Sequence, residues 1–399
     1  MSVYNITTLG AKAGELSTAA IQRAIDICNN GGTVLIPKGT FISGAIFLKS
    51  NMTLRLEEGA RLIASENTDD FPIMGYSFEG REHLCYASLI NTDSAPHSNI
   101  TIEGTGTIDA SGNFLYRAEL DENKGKRGRA VCIRNTEGLN ISGVTIRNSP
   151  AWCLHLLYCQ NVSITDVKIH TKYAEDGTRY KLHNGDGMDI DSCRNVHIKD
   201  CLISSQDDCI AIKSGRNEDG RRVGIPSCDI TIEDCKFTSG FGVAIGSEMS
   251  GGVENVAVKN CTFENTYSIA SVKAIRGRGG YVKNISFENC THFNHSQEYK
   301  DCEWFRGAIY VDGFYSHKEY APDEKVPVDE GTPCVDGISL KNITSETIAG
   351  NAIFLCGLPE SPFKNIRLEN VKAHGKFGMV KHNLENSEFI NTEITFDCL

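Results

Sequence analysis

One unit recurs along this chain and decides most of what it can fold into. It is a turn residue, usually asparagine, then a short apolar–polar alternation, a polar pair and a second alternation. It reads Asn99-Ile-Thr-Ile-Glu-Gly-Thr-Gly-Thr-Ile, Asn140-Ile-Ser-Gly-Val-Thr-Ile, Asn161-Val-Ser-Ile-Thr-Asp-Val-Lys-Ile and Asn195-Val-His-Ile-Lys-Asp-Cys-Leu-Ile. It returns from Asp229, Asn255, Asn284, Gly337 and Asn365. The starts lie 21 residues apart from Asn140 to Asn161 and 34 from Asn161 to Asn195, with longer gaps where loops intervene. Period-two alternation is a strand signal, and strands of about four residues repeated every ~20–35 make a solenoid. A unit this short cannot bury its apolar face alone, so units stack, about 4.8 Å apart. Equivalent residues then form ladders: Asn at the turns, Ile and Val inside, Cys after the polar pair.

The expected fold is therefore all-β, a right-handed parallel β-helix, with residues 1–399 as one continuous domain. A propeller would need antiparallel blades with regular hairpins. Thr18–Asn29 reads as a short amphipathic helix, with Ile21, Ala24, Ile25 and Cys28 on one stripe and Asn30-Gly31-Gly32 ending it. Such a helix suits the open end of a stack, whose edge needs covering. Strands are expected at Thr33–Ile36, Gly44–Leu48 and Met52–Leu56. Loops are expected at Ser65–Ala87, Leu115–Arg129, Tyr173–His183 and Asn294–Thr332, framing a groove.

The net charge is −11, with acids and bases interspersed. That argues against nucleic acid or an anionic membrane as the main partner. No apolar run of about 18 residues is present, so no helical membrane span is expected. Met1–Gly14 has neither the basic nor the apolar region of a secretory leader, so a cytoplasmic protein is expected, or a secreted one if a leader was trimmed. Oligomeric state is open. Sixteen cysteines occur, several after the polar pair (Cys201, Cys235, Cys261, Cys290). They read as small buried hydrophobes, with a disulfide ladder or a zinc site as alternatives.

The acids concentrate in one place. Asp186 and Asp208 lie 22 residues apart at the same place in successive repeats, with Asp207 beside the second. Both carry the apolar parity of the strands they precede. A lone carboxylate inside would be very costly, so each belongs in the turn before its strand. Met188, Ile190, Ile210 and Ile212 then point inward, and Asp189, Asp191, Cys209, Ala211 and Lys213 outward. Three carboxylates on adjacent coils, without Cys or His at metal-ligand spacing, fit glycoside hydrolysis: one protonated acid for the leaving oxygen, and ionised partners holding water. Acid and base in an inverting enzyme stand about 6.5–9.5 Å apart.

These motifs resemble glycoside hydrolase family 28, the polygalacturonases and related pectin hydrolases, in its bacterial branch. The likeness spans nearly the whole chain. It rests on Thr33-Val-Leu-Ile-Pro-Lys-Gly-Thr-Phe41, Asn148-Ser-Pro-Ala-Trp152, Asn184-Gly-Asp-Gly187, Asp207-Asp-Cys-Ile-Ala-Ile-Lys-Ser-Gly215 and Ile245-Gly-Ser-Glu-Met-Ser-Gly-Gly252. The resemblance implies an inverting mechanism with Asp207 as general acid. It implies Asp186 and Asp208 as the pair activating water, with Asn184 beside them; no cofactor or metal is expected, calcium ligation by Asp186, Asp207 and Asp208 being the alternative. Two places depart from it. Phe241 stands where the family has histidine, in register with Asp208. Ser271-Val-Lys273 stands for Arg-Ile-Lys, so the lysine remains and the arginine is gone. A bidentate arginine clamp on a carboxylate is not replaced by serine, which opens the sugar to rhamnose, a neutral sugar or another uronic acid.

Further substrate-binding candidates are His183, Lys213, Phe241, Glu248, Lys273 and Arg276, with a structural role as the alternative for His183, Lys213, Glu248 and Lys273. Phe241 is suited to stacking on an apolar sugar face. Tyr315 reads as packing or as a residue reaching the groove. The Arg127/Arg129 pair reads as a solvated loop or as a partner for an acidic sugar. Asp189 and Asp191 read as scaffold. The leading expectation is an exo-acting hydrolase of pectin-derived oligosaccharides. A calcium-dependent polysaccharide lyase and a non-catalytic carbohydrate-binding solenoid are the alternatives.

Overall fold

Stacking is in register and parallel throughout the two compact units, one ending at Asp207 and the other running from Asp208 and including Glu79–Arg81. A computed structural model describes residues 2–28, 31–300, 306–315 and 320–397. In the first unit Leu154 lies beside Met188 and Leu156 beside Ile190. Val162 lies beside Val196 and Ile164 beside Ile198, and Ile169 lies beside Ile203. A full turn of chain thus holds three strands, such as Met188–Asp191, Arg194–Lys199 and Leu202–Ser204. The second unit repeats the pattern, with Ile212 beside Ile245, Ile245 beside Val272, and Val272 beside Val311. The protein is a right-handed parallel β-helix.

The turns explain the asparagines. Asn195, Asn255, Asn260, Asn284, Asn289, Asn342 and Asn370 all adopt left-handed backbone, with φ of 53 to 57°. Asparagine tolerates this region better than other side-chain-bearing residues. Their amides also link coil to coil. Asn260, Asn289, Asn342 and Asn370 each donate to the equivalent residue of the coil before. One repeat starts two residues earlier than its sequence suggests. Leu139 pairs with Ile100 and Asn140 with Thr101, so Gly138, at φ 75°, takes the turn place opposite Asn99. Glycine fills it without strain.

The helix α1 runs Thr18–Ile27, with Ile21, Ala24 and Ile25 fully buried. The expected last residue, Asn29, and Asn30 lie outside the described residues. The strand expected at Gly44–Leu48 is shorter, Ile46–Phe47. Two expected loops carry structure of their own. Ser65–Ala87 contains a paired ribbon, Ile73–Phe78 with Arg81–Tyr86. Leu115–Arg129 begins inside α2, Gly112–Glu122, whose Leu115 and Ala118 are buried one turn apart. A third helix, α3, spans Asn217–Val223. Within Asn294–Thr332, residues 301–305 and 316–319 lie outside the described residues.

The outward parity of the acid-bearing strands is not solvated. Asp189, Asp191, Cys209, Ala211 and Lys213 are all buried. Alternation therefore predicts which face a side chain takes but not whether water reaches it, because other segments cover this face. Thirteen of the fourteen described cysteines are buried, which fits small core residues. No helix among the described residues is long and apolar enough to cross a membrane.

Candidate active site

In the first unit, the turns bearing Asp186 and Asp207 are tied by backbone. Gln206 and Asp207 both donate N–H to the carbonyl of Gly185, at 3.1 and 3.3 Å. Gly185 N–H donates in return to Gln206 Oε1 at 3.0 Å, and Thr171 Oγ1 donates to the Gly185 carbonyl. A Cβ at Gly185 would stand 3.0 Å from Gln206 Cβ, so the close approach favours glycine there. Asp186 leads into Met188–Asp191 and Asp208 into Ile210–Lys213, where the broken alternation places them. Asp186 and Asp208 are buried, and Asp207 is half-buried.

Each of Asp186, Asp207 and Asp208 offers a carboxylate oxygen within 4.8 Å of the others. The sequence had implied this gathering. This bound concerns the nearest oxygens, whereas inverting and retaining glycosidases are told apart by the separation of whole carboxyl groups. Inversion therefore rests on the resemblance and not on this spacing. The same oxygens are close enough to share a cation, and oxygen-only donors suit calcium or magnesium.

Asn184 adopts left-handed backbone, at φ 53°, and is half-buried. Its Oδ1 accepts from Arg127 at 2.7 Å. Arg127 also donates to the His183 carbonyl at 3.3 Å and to Glu119 Oε2 at 2.7 Å. Burial would raise the Glu119 pKa, but its hydrogen bonds and charge contact with Arg127 outweigh this and lower it. His183 itself is exposed, its ring 5.9 Å from that of Tyr116 on α2.

Neither Arg127 nor Arg129 belongs to a solvated loop. Arg129 is fully buried, with Phe78 and Trp152 rings 5.0 and 5.2 Å from its guanidinium, and it donates to the Ser77 carbonyl at 2.6 Å. His155, which the sequence reading passed over, is also buried, with Nε2 3.6 Å from Asp191 Oδ2. Its signal was its register with Asp189 on the next coil. Glu119 was missed because its segment read as a loop. The Leu115/Ala118 spacing was the available helical sign.

In the second unit, Lys273 Nζ lies 2.7 Å from Asp208 Oδ2. The same ammonium stands 5.0 Å from the centre of the Tyr315 ring. Lys213 faces Glu248 at 3.3 Å. Burial alone would raise the Glu248 pKa, but Lys213 and Arg278 bring it down to about 2. Arg276 forms a bidentate pair with Glu360, at 2.6 and 2.9 Å. Phe241 is buried in an aromatic cluster with Tyr267, Tyr299 and Tyr310.

The profile of glycosyl hydrolases family 28 matches residues 33–393. A probable polygalacturonase of Vitis vinifera is 31% identical over 374 residues, covering 90% of this chain and 71% of that protein. The exo-poly-alpha-D-galacturonosidase of Dickeya chrysanthemi is 26% identical over 461 residues, covering 95% and 73%. The crystal structure of an exopolygalacturonase from Thermotoga maritima superimposes with a TM-score of 0.81 at 26% identity, covering 98% of this chain and 91% of that one. These findings decide against the lyase and the non-catalytic readings. The chain belongs to glycosyl hydrolases family 28 and is a glycosidase that hydrolyses O-glycosyl bonds.

Proposed function

We propose that this enzyme hydrolyses pectin-derived oligosaccharides, of galacturonate or rhamnogalacturonan type, from one chain end with inversion. Asp207 protonates the leaving oxygen, Asp186 and Asp208 activate the attacking water, and Asn184 supports them. The observation that carries this reading is the gathering of the three carboxylates. Crowded acids repel, so one keeps its proton while its neighbours ionise, giving acid and base together. Asp207, the least buried of the three, is the best placed to exchange a proton. The substrate class and the exo mode are supported by the activities named for the Dickeya and Thermotoga relatives. The rest of the proposal is one domain over residues 1–399 and a cytoplasmic enzyme that finishes imported fragments. A reducing compartment suits a chain with this many buried cysteines.

The test is hydrolysis of defined pectic oligosaccharides by wild type and Asp207→Asn, with the product anomer read by NMR and product sizes by chromatography. The first product should carry the opposite anomeric configuration and be of one short size. Asp207→Asn should lower kcat by ~10²–10⁴-fold, the usual share of a general acid. A retained anomer removes the inverting mechanism. Random long products remove the exo mode, and an unimpaired Asp207→Asn removes the acid assignment.

A further inference from the structure

Between Thr171 and Gly185 the first unit leaves the solenoid and returns to it. The Thr171 hydroxyl closes the neck, donating to the Gly185 carbonyl and accepting from Gln206 N–H at 3.1 Å. Beyond the neck lies a hairpin. Tyr173 faces Arg179 in an antiparallel bridge. Ala174 N–H donates to the Thr178 carbonyl at 2.8 Å, and Tyr180 N–H to the Lys172 carbonyl at 2.9 Å. Gly177 turns the chain at φ 82°. Buried Leu182 then leads into His183, Asn184 and Asp186. A two-stranded hairpin is marginally stable by itself in water. Whatever fixes this one therefore fixes the approach to the acid-bearing turn.

Arg147 supplies the anchor. It stands on the solenoid wall, in register between Asp109 and His170 of the neighbouring coils, and is buried. Its guanidinium donates to the Tyr180 hydroxyl at 3.1 Å, pairs with Glu175 and lies 3.8 Å from Asp109. Burial alone would lower the Arg147 pKa, but the Tyr180 hydroxyl and the charges of Glu175 and Asp109 raise it. Glu175 also accepts from Arg61, at 3.2 and 3.3 Å. One carboxylate of the hairpin is thus tied to two separate coils. The Glu175 side chain is 60% exposed, whereas that of Arg147 is 6% exposed. A pair with one partner in water contributes little to global stability. On a marginal hairpin the same contact decides local order, because little else opposes opening.

We propose that Arg147 is a positioning residue for hydrolysis. Through Glu175 and Tyr180 it holds the Lys172–Tyr180 hairpin, and the hairpin sets the place of Asn184 and Asp186. This rests on the reading of Asp186 as a catalytic acid acting on pectic oligosaccharides. Glu175→Gln tests it, since it keeps the shape of the side chain and removes the charge. On the pectic oligosaccharide that the wild type cleaves best, this variant should lower kcat by ~5–100-fold, up to the scale of an ångström-level misplacement. KM should stay within about twofold, because the pair acts on geometry and not on binding. The melting temperature should stay within about 2 °C, as for an exposed pair. Arg147→Lys keeps a charge for Glu175 and loses the planar fork that also serves Tyr180, so its kcat should fall between wild type and Glu175→Gln. An unchanged kcat in Glu175→Gln overturns the inference, and so does a kcat that falls only together with the melting temperature. If the wild type cleaves no pectic oligosaccharide, the pectic reading fails, and trypsin nicking after the exposed Arg179 and Lys181 decides the inference. Nicking about threefold or more faster in Glu175→Gln than in wild type sustains the hold on the hairpin, and equal rates overturn it.

Discussion

Lys273 reaches across 65 residues of sequence to place its ammonium 2.7 Å from Asp208 Oδ2, and both side chains are buried. A buried pair of this kind is costly to break from one side, because the remaining charge loses its partner. Lys273→Ala should destabilise the protein by about 3–5 kcal/mol in urea unfolding and abolish most activity. The double change Lys273→Met with Asp208→Asn should recover much of the stability and none of the activity. Recovery of both would mean that Asp208 serves only the fold.

Arg127 bridges Glu119 on α2 to Asn184 in the acid-bearing turn. Lysine keeps the charge but lacks the planar fork needed to serve both partners. Arg127→Lys should lower kcat by up to roughly a hundredfold, the scale of an ångström-level misplacement, with KM little changed. The effect is read by steady-state kinetics with the melting temperature as a control. A change in KM alone would make Arg127 a binding group.

Burial lowers the pKa of His292 to about 4; Ser345 and the Thr266 carbonyl lie within hydrogen-bond range of its ring. The unfolded chain takes up this proton near 6.5 and the folded one only near 4. Its stability is therefore complete above about 6.5 and falls as pH drops towards 4. Glu248, held at about 2, acts lower: its contribution is present above the ordinary carboxylate range and is lost as pH falls through about 2. Urea unfolding at pH 7 and 4.5 should differ by about 2–3 kcal/mol through His292. His292→Asn should flatten that difference.

Asn289 sits at φ 55° and both donates to Asn260 and accepts from Asn342. Asn289→Ala should cost about 2–3 kcal/mol, from left-handed strain and two lost amide bonds. Asn289→Gly should cost about 1 kcal/mol less, since glycine meets no strain there. Equal losses by thermal unfolding would show that the ladder, and not the backbone, carries the effect.

The solenoid was legible because its signals are local. Met188/Ile190 and Ile210/Ile212 alternate within four residues, and a carboxylate at the wrong parity marks its own turn. The surroundings of Arg127 and Arg129 were not. A basic run looks solvated until Glu119, Trp152 and the neighbouring Ser77 carbonyl and Phe78 ring are brought around it, from three separate segments. Asn140 misled for a related reason. Its asparagine imitates a turn residue, while register with Thr101 gives the turn to Gly138.

Sequence alone determined that short strands must stack in parallel and that Asp186 and Asp208 precede equivalent strands, since periodicity and the cost of burying charge act over a few residues. Tertiary structure decided which partners the charged and polar candidates of the site meet. Lys273 against Asp208, Arg127 against Asn184 and Arg276 against Glu360 are pairings across 57 to 84 residues. They are set by coil register and by how the loops pack, and no local pattern encodes them.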